Sequence, residues 1–174
     1  NMLEYSVEES LSTMVSPPHQ PQHAFQSDLT TISSQEILGI IRRHVPEVED
    51  VNDITMFTTV FTPRWVNPGA CYERLEFLGD SVLSTAMSAY LYKRYPNEDE
   101  GFLSSVRSRI VCGASLSKLS AQHTPFGAFI NRLTKNSDMS KALHARIMED
   151  VFEAFLGAIF MDLGYDIAEK WIIN

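Results

Sequence analysis

Two groups of carboxylates lie within strongly apolar stretches of the sequence, at spacings that a helix would bring onto one face. The first group is Glu73, Glu76 and Asp80, and the second is Asp150 and Glu153. At 100° per residue, the members of each group share one side of their helix. The ordinary interpretation of such spacing is a solvated helix face, with Arg74 or Arg146 as ion-pair partners.

Each acidic group is accompanied by a glycine in the interior of its predicted helix, where glycine is normally unfavourable. Gly79 directly precedes Asp80, and Gly157 follows Glu153 by one turn, although glycine costs a helix about 1 kcal/mol relative to alanine. A glycine at such a place indicates that another backbone approaches closely, as where two helices cross. We therefore predict that the two acidic helices cross near these glycines and bring their carboxylates together.

Carboxylates that converge in this way repel one another and raise one another's pKa unless a cation joins them. Four acids would meet at the predicted crossing: Glu76, Asp80, Asp150 and Glu153. An all-oxygen set without neighbouring His or Cys favours a hard divalent ion, Mg²⁺ or Mn²⁺, over Zn²⁺. Phosphodiester hydrolysis is the chemistry that such an ion supports, because it activates water and offsets charge at phosphorus.

The elements that must position these acids are helical. Ser33 and Glu36 have the capping-box spacing at the start of the first predicted helix, which Pro46 ends. Further helices are predicted over 53–61, 72–95, 103–111, 115–123, 139–163 and 167–173, with a short apolar segment at 129–133. No stretch of useful length alternates apolar and polar residues as a β-strand would, so the sequence predicts an all-α fold.

Residues 1–33 differ in composition from the rest and are assigned to an N-terminal appendage, which leaves 34–174 as one domain. The appendage has three prolines, many Ser, Thr and Gln residues, and no Lys or Arg. A short amphipathic stretch near its start precedes an extended linker. The prolines argue against a helical metal pair formed by His19 and His23, although these stand four residues apart.

The net charge of −8 over 174 residues argues at first against nucleic-acid binding, since surfaces that bind RNA are usually basic. Much of the acid, however, belongs to the predicted metal cluster and to the first seventy residues. Cys71 and Cys112 are too few for a disulfide scaffold and suit a reducing, intracellular compartment, cytoplasmic or nuclear. No apolar run is long enough to span a bilayer, so no membrane partner is expected.

Three blocks of the sequence resemble the catalytic domain of ribonuclease III, and they occur in the order that this family has them. The first block runs from Glu73 to Leu83 and resembles the family signature. The second runs from Glu100 to Val111, and the third from Asp150 to Ala158. The resemblance covers about 34–173 and implies the helical endonuclease fold of the family.

The resemblance also implies roles for individual residues. Four acids would bind catalytic Mg²⁺, with Mn²⁺ as a substitute: Glu76, Asp80, Asp150 and Glu153. Glu73 and Glu100 match acids of the same cleft that support metal or substrate positioning. Phe77 matches the aromatic residue that inserts into the partner subunit, which implies a homodimer. Arg107 and Arg109 are candidate contacts to the RNA backbone, with an ordinary surface charge as the alternative for each.

Enzymes of this family cut double-stranded RNA and leave 5′-phosphate and 3′-hydroxyl ends with short 3′ overhangs, so the resemblance implies this activity. The main alternative is a catalytically inactive relative that acts as a dimerising scaffold or RNA-binding module, but all four metal positions hold an acid. A His-Asp phosphohydrolase is disfavoured because no His-Asp doublet occurs. The family's common double-stranded-RNA-binding domain has no counterpart in these residues, so we expect weak, salt-dependent binding of duplexes.

Overall fold

The computed structural model describes residues 32–45, 47–134 and 140–173, and within these ranges it contains eight helices and no β-strand. The helices are α1 (Ser34–His44), α2 (Ile54–Val60), α3 (Glu73–Arg94), α4 (Glu100–Ile110), α5 (Gly113–His123), α6 (Phe126–Thr134), α7 (Lys141–Leu163) and α8 (Tyr165–Ile173). The prediction of an all-α fold is confirmed for this part of the chain. Nearly all of the predicted appendage, together with Pro46 and Met139, lies outside the described residues.

The capping box predicted at the start of α1 is present. The Ser33 hydroxyl accepts a hydrogen bond from the Glu36 amide at 3.3 Å, and the Glu36 carboxylate accepts one from the Ser33 amide at 2.9 Å. Two amide groups that the helix itself cannot pair are thereby satisfied. The start of α1 is therefore set by its own sequence.

Several elements differ in extent from the predictions, among them α5, which begins at Gly113 rather than 115. Helix α4 begins at Glu100 rather than 103, because the Asp99 carboxylate accepts a hydrogen bond from the Phe102 amide at 2.8 Å and caps the helix earlier. The apolar segment predicted at 129–133 belongs to a complete helix, α6. Helix α8 begins at Tyr165 rather than 167, because Gly164 has a φ of +90° and turns the chain within one residue.

Helix α7 forms the centre of the domain. It packs against α2, α3, α5, α6 and α8, and every residue from 151 to 159 is buried. Phe155 joins an aromatic cluster on one side of α7, with ring centroids 5.0 Å from Phe126, 5.7 Å from Phe57 and 5.2 Å from Trp171. Rings at these separations pack favourably in edge-to-face and tilted arrangements. The cluster fixes α7 in the core and thereby fixes the acids that α7 carries.

Among the helices that the structure describes, none is long and apolar enough to cross a bilayer.

Candidate active site

Helices α3 and α7 cross at a point where neither backbone carries a side chain. A Cβ atom at Gly79 would overlap the carbonyl group of Glu153, and a Cβ atom at Gly157 would overlap the carbonyl oxygen of Leu75. Any residue other than glycine would push the two helices apart at this point. The close approach predicted from the two glycines is confirmed.

A cavity of about 480 Å³ lies beside this crossing, between α3, α5 and α7. Its charged lining residues are Glu76, Arg146, Glu149, Asp150 and Glu153. Small residues complete the wall, among them Gly113 and Ser117 of α5. Glu76 of the first predicted group and Asp150 and Glu153 of the second therefore line one cavity. The guanidinium of Arg146 and the carboxylate of Glu149, which belonged to neither group, line it as well.

Glu153 is the most buried of these acids, with 8 % of its surface exposed. Burial raises the pKa of its carboxyl to about 8, and the charge of Asp80 is the next largest cause. Burial likewise raises the pKa of Glu76 to about 7, with the charges of Asp150 and Glu73 contributing. Both carboxyls therefore bind protons well above the ordinary range, because each is partly desolvated beside other anions.

The carboxylate of Asp150 is held by a tyrosine. The Tyr72 hydroxyl donates a hydrogen bond to Asp150 Oδ2 at 3.2 Å. Burial raises the pKa of Asp150, and the hydrogen bond from Tyr72 opposes that rise. Burial and the neighbouring anion raise the pKa of Tyr72 above its ordinary value, so its hydroxyl stays protonated as a donor. The sequence spacing gave no signal for Tyr72, which contacts Asp150 only through the tertiary fold.

Glu73 is not among the residues that line the cavity, and its carboxylate pairs with an arginine from the preceding loop. The Nε atom of Arg64 is 3.2 Å from Glu73 Oε2. Since both side chains are partly exposed, this pair contributes little to stability, and its main effect is to orient the carboxylate. The observed partner of Glu73 is therefore Arg64 rather than Arg74, the neighbour that the sequence suggested.

Asp80 lies outside the cavity lining and is exposed on α3, and Glu100, Arg107 and Arg109 also lie outside the lining. Glu100 is exposed at the start of α4 and accepts a hydrogen bond from the Ser104 hydroxyl at 2.7 Å. Arg107 donates a hydrogen bond to the Ser88 hydroxyl at 2.8 Å and thereby links α4 to α3. Arg109 is exposed at the end of α4.

Phe77 projects from α3 into solvent, with 78 % of its surface exposed. Its neighbours on the opposite face of α3, among them Val82 and Leu83, are buried in the core. Among the residues that the structure describes, none covers this ring, so Phe77 is not part of the described core. An exposed aromatic side chain of this kind is available for contact with another protein surface.

The chemistry of the acidic cluster fits a hard divalent cation. The acids offer only oxygen donors, and burial, with the charges of neighbouring acids as a second cause, raises the pKa of Glu76 and Glu153. As the side chains stand, no three Asp, Glu, His or Cys residues of the described ranges are grouped closely enough to hold one ion between them. Mg²⁺ commonly binds through one or two carboxylates and several waters, so it does not require three protein ligands around one ion.

The model of the ribonuclease III domain family matches residues 73–164, a stretch that includes the cores of both acidic helices. The chain belongs to the ribonuclease III family. Ribonuclease 3 of Latilactobacillus sakei is 47% identical over 101 residues, which are 58% of this chain and 43% of that protein. A protein of Paramecium bursaria Chlorella virus 1 is 38% identical over 123 residues, 70% of this chain and 44% of that protein. The chain thus matches less than half the length of these relatives.

A solved structure is similar to this fold as well. The nuclease domain of ribonuclease III from Campylobacter jejuni superposes with a TM-score of 0.63 at 27% identity, covering 78% of this chain and 91% of that domain. The expectation of a helical nuclease-domain fold is therefore confirmed.

Proposed function

We propose that this chain is a Mg²⁺-dependent endoribonuclease that cuts double-stranded RNA, leaving 5′-phosphate and 3′-hydroxyl ends with short 3′ overhangs. The observation that carries the proposal is the glycine-lined crossing of α3 and α7, which gathers acids from both helices around one cavity. Membership of the ribonuclease III family supports the choice of RNA as the substrate. The crowded carboxylates support a metal-dependent reaction, because an anionic phosphodiester would otherwise be repelled.

The residues proposed to hold Mg²⁺ are Glu76, Asp80, Asp150 and Glu153, and Mn²⁺ can replace it. When bound, the ion supplies activation of water and neutralisation of charge at the phosphorus. Tyr72 orients the carboxylate of Asp150 through its hydrogen bond, and Arg64 orients Glu73, which lies outside the cavity lining. Hydrogen bonds of this kind to carboxylates commonly tune metal sites.

The side chains that would contact RNA are basic groups in and beside the cavity. Arg146 is the lining residue that carries a positive charge, and its guanidinium suits the geometry of a phosphate. Arg109 is exposed and free to meet the backbone of a duplex, whereas Arg107 has only its remaining N–H groups available beside Ser88. Glu100 lies outside the cavity lining at the start of α4, and its proposed role as a positioning acid rests on the family resemblance of the block from Glu100 to Val111. Contacts of this kind read the shape and phosphates of A-form RNA rather than its sequence.

We infer that the active form is a homodimer in which Phe77 inserts into the partner subunit and each subunit cuts one strand. The exposure of Phe77 supports this arrangement. The Campylobacter jejuni structure is described in terms of a region involved in dimer formation, which supports it further. Cys71 and Cys112 are both free thiols, which is consistent with a reducing, intracellular environment.

The proposal is tested by incubating a long, perfectly paired RNA with this chain and Mg²⁺ and sizing the products on a denaturing gel. We expect cleavage that EDTA stops and that Mn²⁺ restores. End mapping should show 5′-phosphates and 3′-hydroxyl overhangs. Binding of the duplex without cleavage under both metals would favour the alternative of an inactive, RNA-binding scaffold.

A further inference from the structure

Glu149 lines the cavity at the point where α7 meets the start of α5. Its carboxylate lies against the Cα atom of Gly113, where a Cβ would overlap both of its oxygens. Gly113 is the first residue of α5, and the preceding residue, Cys112, provides no side-chain cap. The absence of a side chain at Gly113 is therefore what lets the Glu149 carboxylate lie against the start of α5.

The contact with Gly113 of α5 places the carboxylate of Glu149 on the same cavity wall as the other acids. Glu149 and Gly113 line the same cavity as Glu76 and Glu153. An anion on the wall of this cavity adds to the attraction that the neighbouring carboxylates exert on a cation.

We propose that Glu149 is a positioning residue of the candidate metal site, held against Gly113 so that its charge strengthens the binding of a divalent cation by the neighbouring carboxylates. This inference rests on the proposed function, since it concerns the same cavity. Glu149 acts here through space and through its effect on the other acids, as residues beside metal ligands commonly do.

The experiment measures Mn²⁺ binding to the full chain by calorimetry without RNA, so that the result does not depend on cleavage. Glu149→Ala removes the charge, Glu149→Gln removes it while keeping the shape, and Gly113→Ala displaces the carboxylate without changing any charge. We expect each variant to bind Mn²⁺ about tenfold more weakly. The double variant of Gly113→Ala and Glu149→Ala should bind no more weakly than Glu149→Ala alone, because both changes remove the same interaction.

Two matched controls separate this effect from general damage. Gly39→Ala adds a methyl to a helix at a place where no atom of the described residues lies within 4 Å, and Glu49→Ala removes an exposed acid far along the chain from the cavity. Both should bind Mn²⁺ as the unaltered chain does, and thermal unfolding in EDTA should show every variant folded. Unchanged Mn²⁺ affinity in Glu149→Ala, or losses that multiply in the double variant, would overturn the inference. The expected binding pattern without RNA cleavage would uphold it and contradict the proposed activity instead.

Discussion

The backbone carbonyl of Glu153 lies directly against the Cα atom of Gly79, and this contact brings the two acidic helices together. The reciprocal contact joins Gly157 to the carbonyl of Leu75, so each helix presents a glycine to the other's backbone. Helices that cross through larger side chains are held about 8–10 Å apart. The glycine contacts allow a closer approach here, and the carboxylates beside them can face one cavity.

Replacing Gly79 with Ala should force α3 and α7 apart, because the added methyl would overlap backbone that cannot move aside. We expect the free energy of unfolding to fall by about 3 kcal/mol, and cleavage of RNA to fall with it. Urea denaturation measures the first effect and a gel assay the second. Gly39→Ala is the control, because its methyl would meet no atom of the described part of the chain within 4 Å. Equal stability of the two variants would contradict the crossing.

Replacing Glu153 with Gln should abolish cleavage of double-stranded RNA while leaving the fold and the dimer intact. The amide keeps the shape of the buried side chain but is a poor ligand for a hard cation. Circular dichroism and sedimentation establish that the variant is folded and assembled, and a Mg²⁺-dependent cleavage assay measures the loss. Full residual cleavage would show that Glu153 is not a metal ligand.

The stability of the metal-free protein should fall as pH rises from about 4.5 to about 8. The pKa of Glu76 is raised to about 7 and that of Glu153 to about 8, from an ordinary value of 4.5. Over this window the folded chain therefore binds more protons than the unfolded chain, so raising the pH favours unfolding.

Thermal unfolding in EDTA across this pH range measures that dependence, and Glu153→Gln isolates the contribution of one carboxyl. The variant cannot titrate at position 153, so its melting temperature should rise relative to that of the unaltered chain as pH increases. Adding Mg²⁺ at pH 8 should stabilise the unaltered chain more than the variant. A constant difference in melting temperature from pH 5 to pH 8 would contradict the assigned burial of Glu153.

Replacing Phe77 with Ala should weaken the proposed dimer without unfolding the subunit. The ring is 78 % exposed and makes no contribution to the core, so its loss should leave the melting temperature of a monomer nearly unchanged. We expect the dissociation constant of the dimer to rise at least tenfold. A central aromatic residue of an interface commonly contributes about 2 kcal/mol to the free energy of binding. Sedimentation over a range of protein concentrations measures the change.

Tyr92→Ala is the matched control for Phe77→Ala. Tyr92 is also an aromatic residue of α3 and is 74 % exposed. It lies fifteen residues further along the helix, about 22 Å away. Dissociation of the dimer by Tyr92→Ala but not by Phe77→Ala would place the interface at the other end of α3.

The helices and the acids of the two predicted groups could be read from the sequence because they depend on local patterns. The capping box at Ser33 and Glu36, the proline and glycine boundaries, and the three-residue spacing of Asp150 and Glu153 each act within a few residues. Helix starts were less accurate where a single side chain decided them, as Asp99 does for α4. The glycines gave a long-range prediction, because a glycine inside a helix indicates contact with another backbone.

The sequence by itself determined an all-helical chain, the family to which it belongs, and the crossing of two acidic helices. Only the tertiary structure decided that Tyr72 holds Asp150, that Arg64 pairs with Glu73, and that Glu149 rests on Gly113. These contacts join segments whose separation in the sequence has no fixed relation to their separation in space. Helical periodicity shows which residues share a face of one helix, but the packing of helices around α7 decides which faces meet.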